Sequence, residues 1–113
     1  MPQPRRLGSD AEDRAAEYLL GLGYTLLTRR AKTSRGELDI VCLDGECLVF
    51  VEVKSRSGRW ETPEEGMTSL KFSRLYMAAE DYVLAQGLDG REQRLDLVAI
   101  DEAGLRHWQN VSR

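Results

Sequence analysis

Two strand-like runs separated by four residues constrain this chain most: Glu37-Leu38-Asp39-Ile40-Val41-Cys42-Leu43 and Leu48-Val49-Phe50-Val51-Glu52-Val53-Lys54. Both are rich in apolar and β-branched residues, which suit a pleated, half-buried surface. Asp44-Gly45 lies between them and predicts a hairpin, because a two-residue type I′ turn needs positive φ and glycine supplies it cheaply. With Asp44 and Gly45 as the loop, Leu43 pairs with Glu46, Val41 with Leu48, Asp39 with Phe50, and Glu37 with Glu52. Directly paired residues share a face of a sheet, and faces alternate along a strand. Glu37, Asp39, Glu52 and Lys54 therefore project from one face.

In this register Asp39 and Glu52 are diagonal neighbours, roughly 7 Å apart at the backbone. Their side chains can close that gap around one cation, and two or three protein oxygens plus water is how proteins usually hold Mg²⁺. Without a cation, carboxylates this close repel, and at least one pKa rises. Charges at strand ends more often just face solvent. Here Leu48 and Phe50 share the face of Glu52 and Lys54, while Val49, Val51 and Val53 line the other. The second run reads as buried on both sides, so its charges need a reason.

The rest of the chain predicts the order αβββαββ. A first helix spans Ser9 to about Leu20, with Ala11, Ala15, Tyr18, Leu19 and Leu22 as its apolar stripe. Gly21 and Gly23 stop it. A strand follows from Tyr24 to Arg30, then a polar loop from Ala31 to Gly36 and the hairpin. Thr62-Pro63-Glu64-Glu65 resembles a helix start. A long helix runs from about Thr68 to Gln86, with Phe72, Leu75, Tyr76, Ala79 and Val83 buried. Leu95–Ile100 and Leu105–Val111 are two more strands, joined by a turn at Asp101 to Gly104. Helices separated by sheet-forming runs favour a mixed α/β sheet with helices packed on it.

A length of 113 residues suits one domain, 1–113. No apolar run is long enough to span a bilayer, and no secretory pattern opens the chain, so the expected location is cytoplasmic. Cys42 and Cys47 face each other in the predicted hairpin, opposite the carboxylates, and are expected to be free thiols in a reducing cytoplasm. The net charge of −3 and pI near 5.2 oppose bulk attraction to nucleic acid. The basic residues are unevenly placed, however. Arg29, Arg30, Lys32 and Arg35 precede the acidic motif, and Lys54, Arg56 and Arg59 follow it. A basic rim around an acidic centre suits a phosphate backbone, and ordinary solvated charge explains it as well.

The constellation Gly36-Glu37-x-Asp39-Ile40-Val41, then Phe50-Val51-Glu52-Val53-Lys54-x-Arg56, resembles the PD-(D/E)XK nuclease superfamily. More closely it resembles the uncharacterised bacterial YraN-like family, which is similar to archaeal Holliday-junction resolvases. The likeness extends to Gly8-x-x-x-Glu12, Gly23-Tyr24, Lys71 and Arg94-Leu95-Asp96-Leu97-Val98. Arg30-Ala31 departs from the family's Arg-Asn, and Trp60 and Gly66 are further departures in a loop.

The resemblance implies a restriction-endonuclease-like mixed sheet flanked by helices, and a metal-dependent endonuclease acting on DNA, branched or otherwise structured. Asp39 and Glu52 would hold Mg²⁺ or Mn²⁺. Lys54 would orient the attacking water or stabilise charge on the phosphorane. Glu37 and Glu12 would complete the outer shell or a second metal position, and a homodimer would let two sites cut two strands. The other reading is a non-catalytic nucleic-acid-binding or partner-docking module on the same fold.

Glu12 has a competing explanation, since Ser9-x-x-Glu12 also matches a capping box. Lys71 is either an exposed helix residue or, by the resemblance, a phosphate contact. Arg56 shares the face of Lys54 if the strand continues, and its guanidinium could hold a phosphate bidentately. Arg94 and Asp96 share a strand face as a structural ion pair. Trp60 either caps the core or stacks on an unpaired base. His107 and Trp108 face opposite sides of the last strand and carry no assigned role.

Overall fold

Leu48, Val49, Phe50 and Val51 are all buried, so the strand that carries them has core on both faces. The computed structural model describes residues 7–56, 65 and 67–111. Its elements are α1 (Leu7–Gly21), β1 (Thr25–Thr33), β2 (Gly36–Asp44), β3 (Cys47–Ser55), α2 (Ser69–Gln86), β4 (Gln93–Asp101) and β5 (Gly104–Trp108). This is the expected order αβββαββ, and the five strands form one sheet in the order β1-β2-β3-β4-β5. All neighbours are antiparallel except β3 and β4, which are parallel and joined through α2. A parallel pair needs such a crossover, because a tight turn cannot reverse the chain twice.

The two helices cover opposite faces. Leu48 and Phe50 of β3 and Leu95, Leu97 and Ala99 of β4 pack with Phe72, Leu75, Ala78, Ala79 and Val83 of α2. Val49, Val51, Val98 and Ile100 pack with Ala11, Ala15, Ala16 and Leu19 of α1. Each large side chain buried this way contributes about 1.5–3 kcal/mol. Among the described residues no helix is long and apolar enough to cross a membrane.

Several local expectations shift. The hairpin register is moved by one turn position: Asp44 pairs with Cys47, Leu43 with Leu48, Cys42 with Val49, Val41 with Phe50, and Ile40 with Val51. The loop is Gly45-Glu46 rather than Asp44-Gly45. Gly45 takes φ 61 and Glu46 does not take positive φ, which is the φ pattern of a type II′ turn. Every partner changes by two residues, so faces are conserved. Cys42 and Cys47 no longer face each other; both are free thiols, and burial pushes that of Cys42 up to about 12. β1 continues through the expected loop to Thr33, leaving only Ser34 and Arg35 to turn. α1 starts at Leu7, so Ser9 lies inside the helix and cannot be its cap. Tyr76 is 40% exposed, and Ala78 takes the buried place expected for it. Thr62-Pro63-Glu64, Arg59, Trp60 and Gly66 lie outside the described residues.

Candidate metal and phosphate site

The pleat of β2 is interrupted at Asp39. Leu38 packs on the α2 side and Ile40 on the α1 side, although regular alternation would put both on one face. Across the ladder, Arg29 pairs with Ile40 and Ala31 with Leu38, which leaves Arg30 opposite Asp39. Arg30 has φ 53, a left-handed conformation uncommon for a side chain with a Cβ. Asp39 keeps the α2-side face of Val41, two residues on, which is also the face of Phe50 and Glu52 on β3, and the irregularity shows in Leu38. The β2–β3 ladder ends at Ile40 and Val51, and Asp39 and Glu52 are the next residue of each strand beyond that last pair.

The Glu52 carboxyl lies close enough to that of Asp39 to disfavour its charged form. Glu52 is 4% exposed and Asp39 is half-buried. Asp39 Oδ2 also accepts a hydrogen bond from the Val53 N–H at 2.8 Å. Burial, then the Glu52 carboxyl beside it, push the Asp39 carboxyl up to about 7; the Val53 N–H and the Lys71 charge pull against this. Two carboxyl groups that cannot both ionise freely will share a proton unless a cation replaces it.

Lys71 supplies part of that positive charge. Its Nζ lies 3.1 Å from Glu52 Oε2. The contact lacks hydrogen-bond geometry, and the same oxygen is buried with no hydrogen-bond partner. It is matched in charge and unsatisfied in direction. The hard oxygen donors of Asp39 and Glu52, one of them buried and orphaned, fit Mg²⁺ or Mn²⁺ with water filling the remaining positions. Lys54 follows Glu52 by two, pairs with Ala99, and so projects on the same α2 face.

The other expected site residues are placed differently. Glu12 accepts from Arg30 Nε at 2.9 Å and lies 3.8 Å from an Arg29 nitrogen, so it is neither a cap nor part of the carboxylate pair. Glu37 is exposed and pairs with Lys32, not with Glu52. Among the described residues no three His, Cys, Asp or Glu side chains converge as a metal cluster would require. Arg35 donates to Asp81 at 2.7 Å and Glu80 at 2.8 Å, and with Ser34 it holds the Asp81 carboxyl down at about 2. Arg56 directly follows β3 and is exposed.

A second polar cluster lies on the opposite face, under α1. Asp96 is 0% exposed and accepts from His107 Nε2 at 2.7 Å, Arg94 Nε at 2.9 Å and the Asn110 N–H at 3.0 Å. Burial would push its carboxyl up, but these bonds outweigh it and hold the group below the usual range. Arg94 also reaches Asp44 at 2.8 Å and Tyr24 Oη at 2.6 Å, and His107 Nδ1 contacts Tyr18 Oη at 3.1 Å. The Arg94–Asp96 pair was expected; His107 as its third member was not.

Residues 11–100 match the model of a family described as "Uncharacterised protein family UPF0102". The chain is 48% identical over 97 residues to a UPF0102 protein of Anaeromyxobacter dehalogenans, covering 83% of this chain and 71% of the relative. It is 43% identical over 95 residues to one of a Nocardioides species, covering 83% and 77%. A UPF0102 protein of Carboxydothermus hydrogenoformans is 38% identical over 112 residues, 95% of each chain.

Proposed function

We propose that this chain, which belongs to the uncharacterised protein family UPF0102, is a Mg²⁺- or Mn²⁺-dependent endonuclease that hydrolyses phosphodiester bonds in DNA, including branched or otherwise structured DNA. The observation that carries this reading is the pair of neighbouring carboxyl groups, Asp39 and Glu52, one of whose oxygens is buried with no hydrogen-bond partner. Burying two carboxyl groups side by side costs stability unless something offsets their charge, and a cation does so fully. Asp39 and Glu52 are the residues that would hold it. A bound divalent ion supplies Lewis-acid polarisation of a phosphate and a more acidic water.

The chain's own groups account for the remaining work. The Val53 N–H fixes one oxygen of Asp39, so the carboxylate pair is oriented before any ligand arrives. Lys54, on the same face as Glu52, presents an ammonium where negative charge grows on the phosphorane. Arg56, two residues further along the chain, can hold a neighbouring phosphate through its planar fork.

A non-catalytic DNA-binding or partner-docking module is the second reading. One observation favours it: Glu12 is taken up by Arg30, which leaves two converging carboxylates rather than three. Calorimetric titration with Mn²⁺, wild type against Asp39→Ala, tests the first reading. Binding in the wild type that disappears in the variant is expected, accompanied by Mn²⁺-dependent nicking of branched or linear DNA. Metal and DNA binding with no cleavage of any substrate would leave the binding module.

A further inference from the structure

Lys71 stands where a helix start ordinarily carries an acid. Thr68 caps α2, and its side-chain oxygen accepts from the Lys71 N–H at 3.2 Å. A Thr-x-x-Glu sequence would close this capping box, and the partial positive charge of a helix N-terminus favours an anion there. The chain has Thr68-Ser69-Leu70-Lys71 instead, with no acidic residue in the first turn. A cation at this position gains nothing from its own helix, so its stabilising partner must lie elsewhere. That partner is Glu52, whose Oε2 is 3.1 Å from the Lys71 Nζ.

The two partners differ in freedom. The Glu52 side chain is 4% exposed, whereas that of Lys71 is 37% exposed and has a route to solvent. The ammonium and carboxylate are not joined by a directional hydrogen bond, since Glu52 Oε2 has none. Lys71 can leave and Glu52 cannot.

We propose that the Lys71 ammonium is the built-in counter-cation of the Asp39–Glu52 pair, and that a divalent ion binds there by displacing it from Glu52. This rests on reading the two carboxylates as the cation site. One ammonium offsets one carboxylate, whereas a divalent ion offsets both, so exchange is favoured when the ion is present. The displaced ammonium stays tethered at the mouth of the site and contributes its charge to a phosphate there. Lys71 is thus a positioning residue that sets metal affinity, and its exposure makes the opposing effect modest.

Mn²⁺ titration of the full chain by calorimetry separates the possibilities. Lys71→Met should bind about tenfold more tightly than wild type, because a competing positive charge next to the ligands is gone. Lys71→Arg, which keeps the charge, should stay near wild type, and Asp39→Asn should lose binding. Unchanged or weaker binding by Lys71→Met, with binding still lost in Asp39→Asn, overturns the counter-cation and leaves the metal site standing. No binding by wild type, or equal binding by Asp39→Asn, overturns the metal site itself. Should Lys71→Met fail to fold, wild-type protein decides. Acylation of Lys71 by an N-hydroxysuccinimide ester, read by mass spectrometry against exposed Lys32, should rise several-fold at saturating Mn²⁺. Unchanged labelling overturns the displacement.

Discussion

The carboxyl of Asp39 lies beside that of Glu52 on the neighbouring strand, and burial with this like-charged partner raises its pKa from 3.8 to about 7. In the unfolded chain Asp39 releases its proton near pH 4. Between that value and about 7 the folded protein retains a proton that the unfolded chain has lost. Stability in metal-free buffer should therefore fall as pH rises through this window and stay low above it. Asp39→Asn keeps an acceptor for the Val53 N–H and removes the titration. Relative to wild type it should gain on the order of 2–4 kcal/mol between pH 4 and pH 8. Urea unfolding at several pH values with a chelator present measures this. A constant difference between the two proteins would mean that Asp39 titrates as an ordinary surface carboxylate.

Much of this site was legible because strand faces have period two. The hairpin turn was centred one residue too early, yet the resulting two-residue change of partner preserved the faces from Ile40 to Leu43 and along β3; only Leu38, beyond the interruption, lies on the other side. Asp39 and Glu52 became the residues that follow the last ladder pair, Ile40 with Val51. Asp44-Gly45 was ambiguous because glycine fits the second place of one turn type and the first place of another. The Arg30 distortion was not legible, since nothing about an arginine announces a left-handed backbone. For Lys71 the sequence offers an exposed helix residue or, by resemblance, a phosphate contact; its tie to Glu52 depends on how α2 crosses the sheet, which no local pattern encodes. His107 could have been found. The turn at Asp101–Gly104 sets His107 opposite Val98, on the same face as Asp96.

The cluster beneath α1 should behave as structure. Asp96 is the fully buried acceptor shared by Arg94, His107 and the Asn110 backbone; without it Arg94 keeps Asp44 and Tyr24, but His107 Nε2 and the Asn110 N–H lose their bonds. Asp96→Ala should cost about 3–5 kcal/mol, the usual loss when a buried charge is left without its partner. Because Asp96 lies on the face opposite Glu52, a folded Asp96→Asn should bind Mn²⁺ like wild type. Chemical unfolding and calorimetry on the same samples check both halves. A large loss of metal affinity in a fully folded variant would tie the two faces together.

DNA affinity should be weak and should fall with salt along a shallow slope, because few phosphates can be neutralised by a chain of net charge −3. The two candidate arginines should differ. Arg35, on the β1–β2 turn, is held by Asp81 and Glu80, whereas Arg56 is exposed directly after β3, the strand that carries Glu52 and Lys54. Arg56→Glu should weaken binding of all sequences alike and lower the salt slope by about one. Arg35→Gln should change affinity less. Fluorescence anisotropy across a salt series decides, and a larger effect at Arg35 would move the nucleic-acid surface to the β1–β2 turn.

Lys54 separates chemistry from binding. It shares the face of Glu52 but cannot ligate a cation while protonated. Lys54→Met keeps most of the apolar stem and removes the charge, so folding should survive. Mn²⁺ affinity should stay within a few-fold of wild type, or rise, because one nearby positive charge is gone. Cleavage should fall by roughly two to three orders of magnitude, the scale of losing one electrostatic contact to the transition state. Purified wild type and variant should be compared on branched and linear DNA with Mn²⁺. Equal cleavage by both would assign the activity to a contaminant or to another site. A fall in cleavage with metal affinity retained would place Lys54 at the reacting phosphate, because a lysine that only supported the fold or the cation would have moved stability or affinity as well.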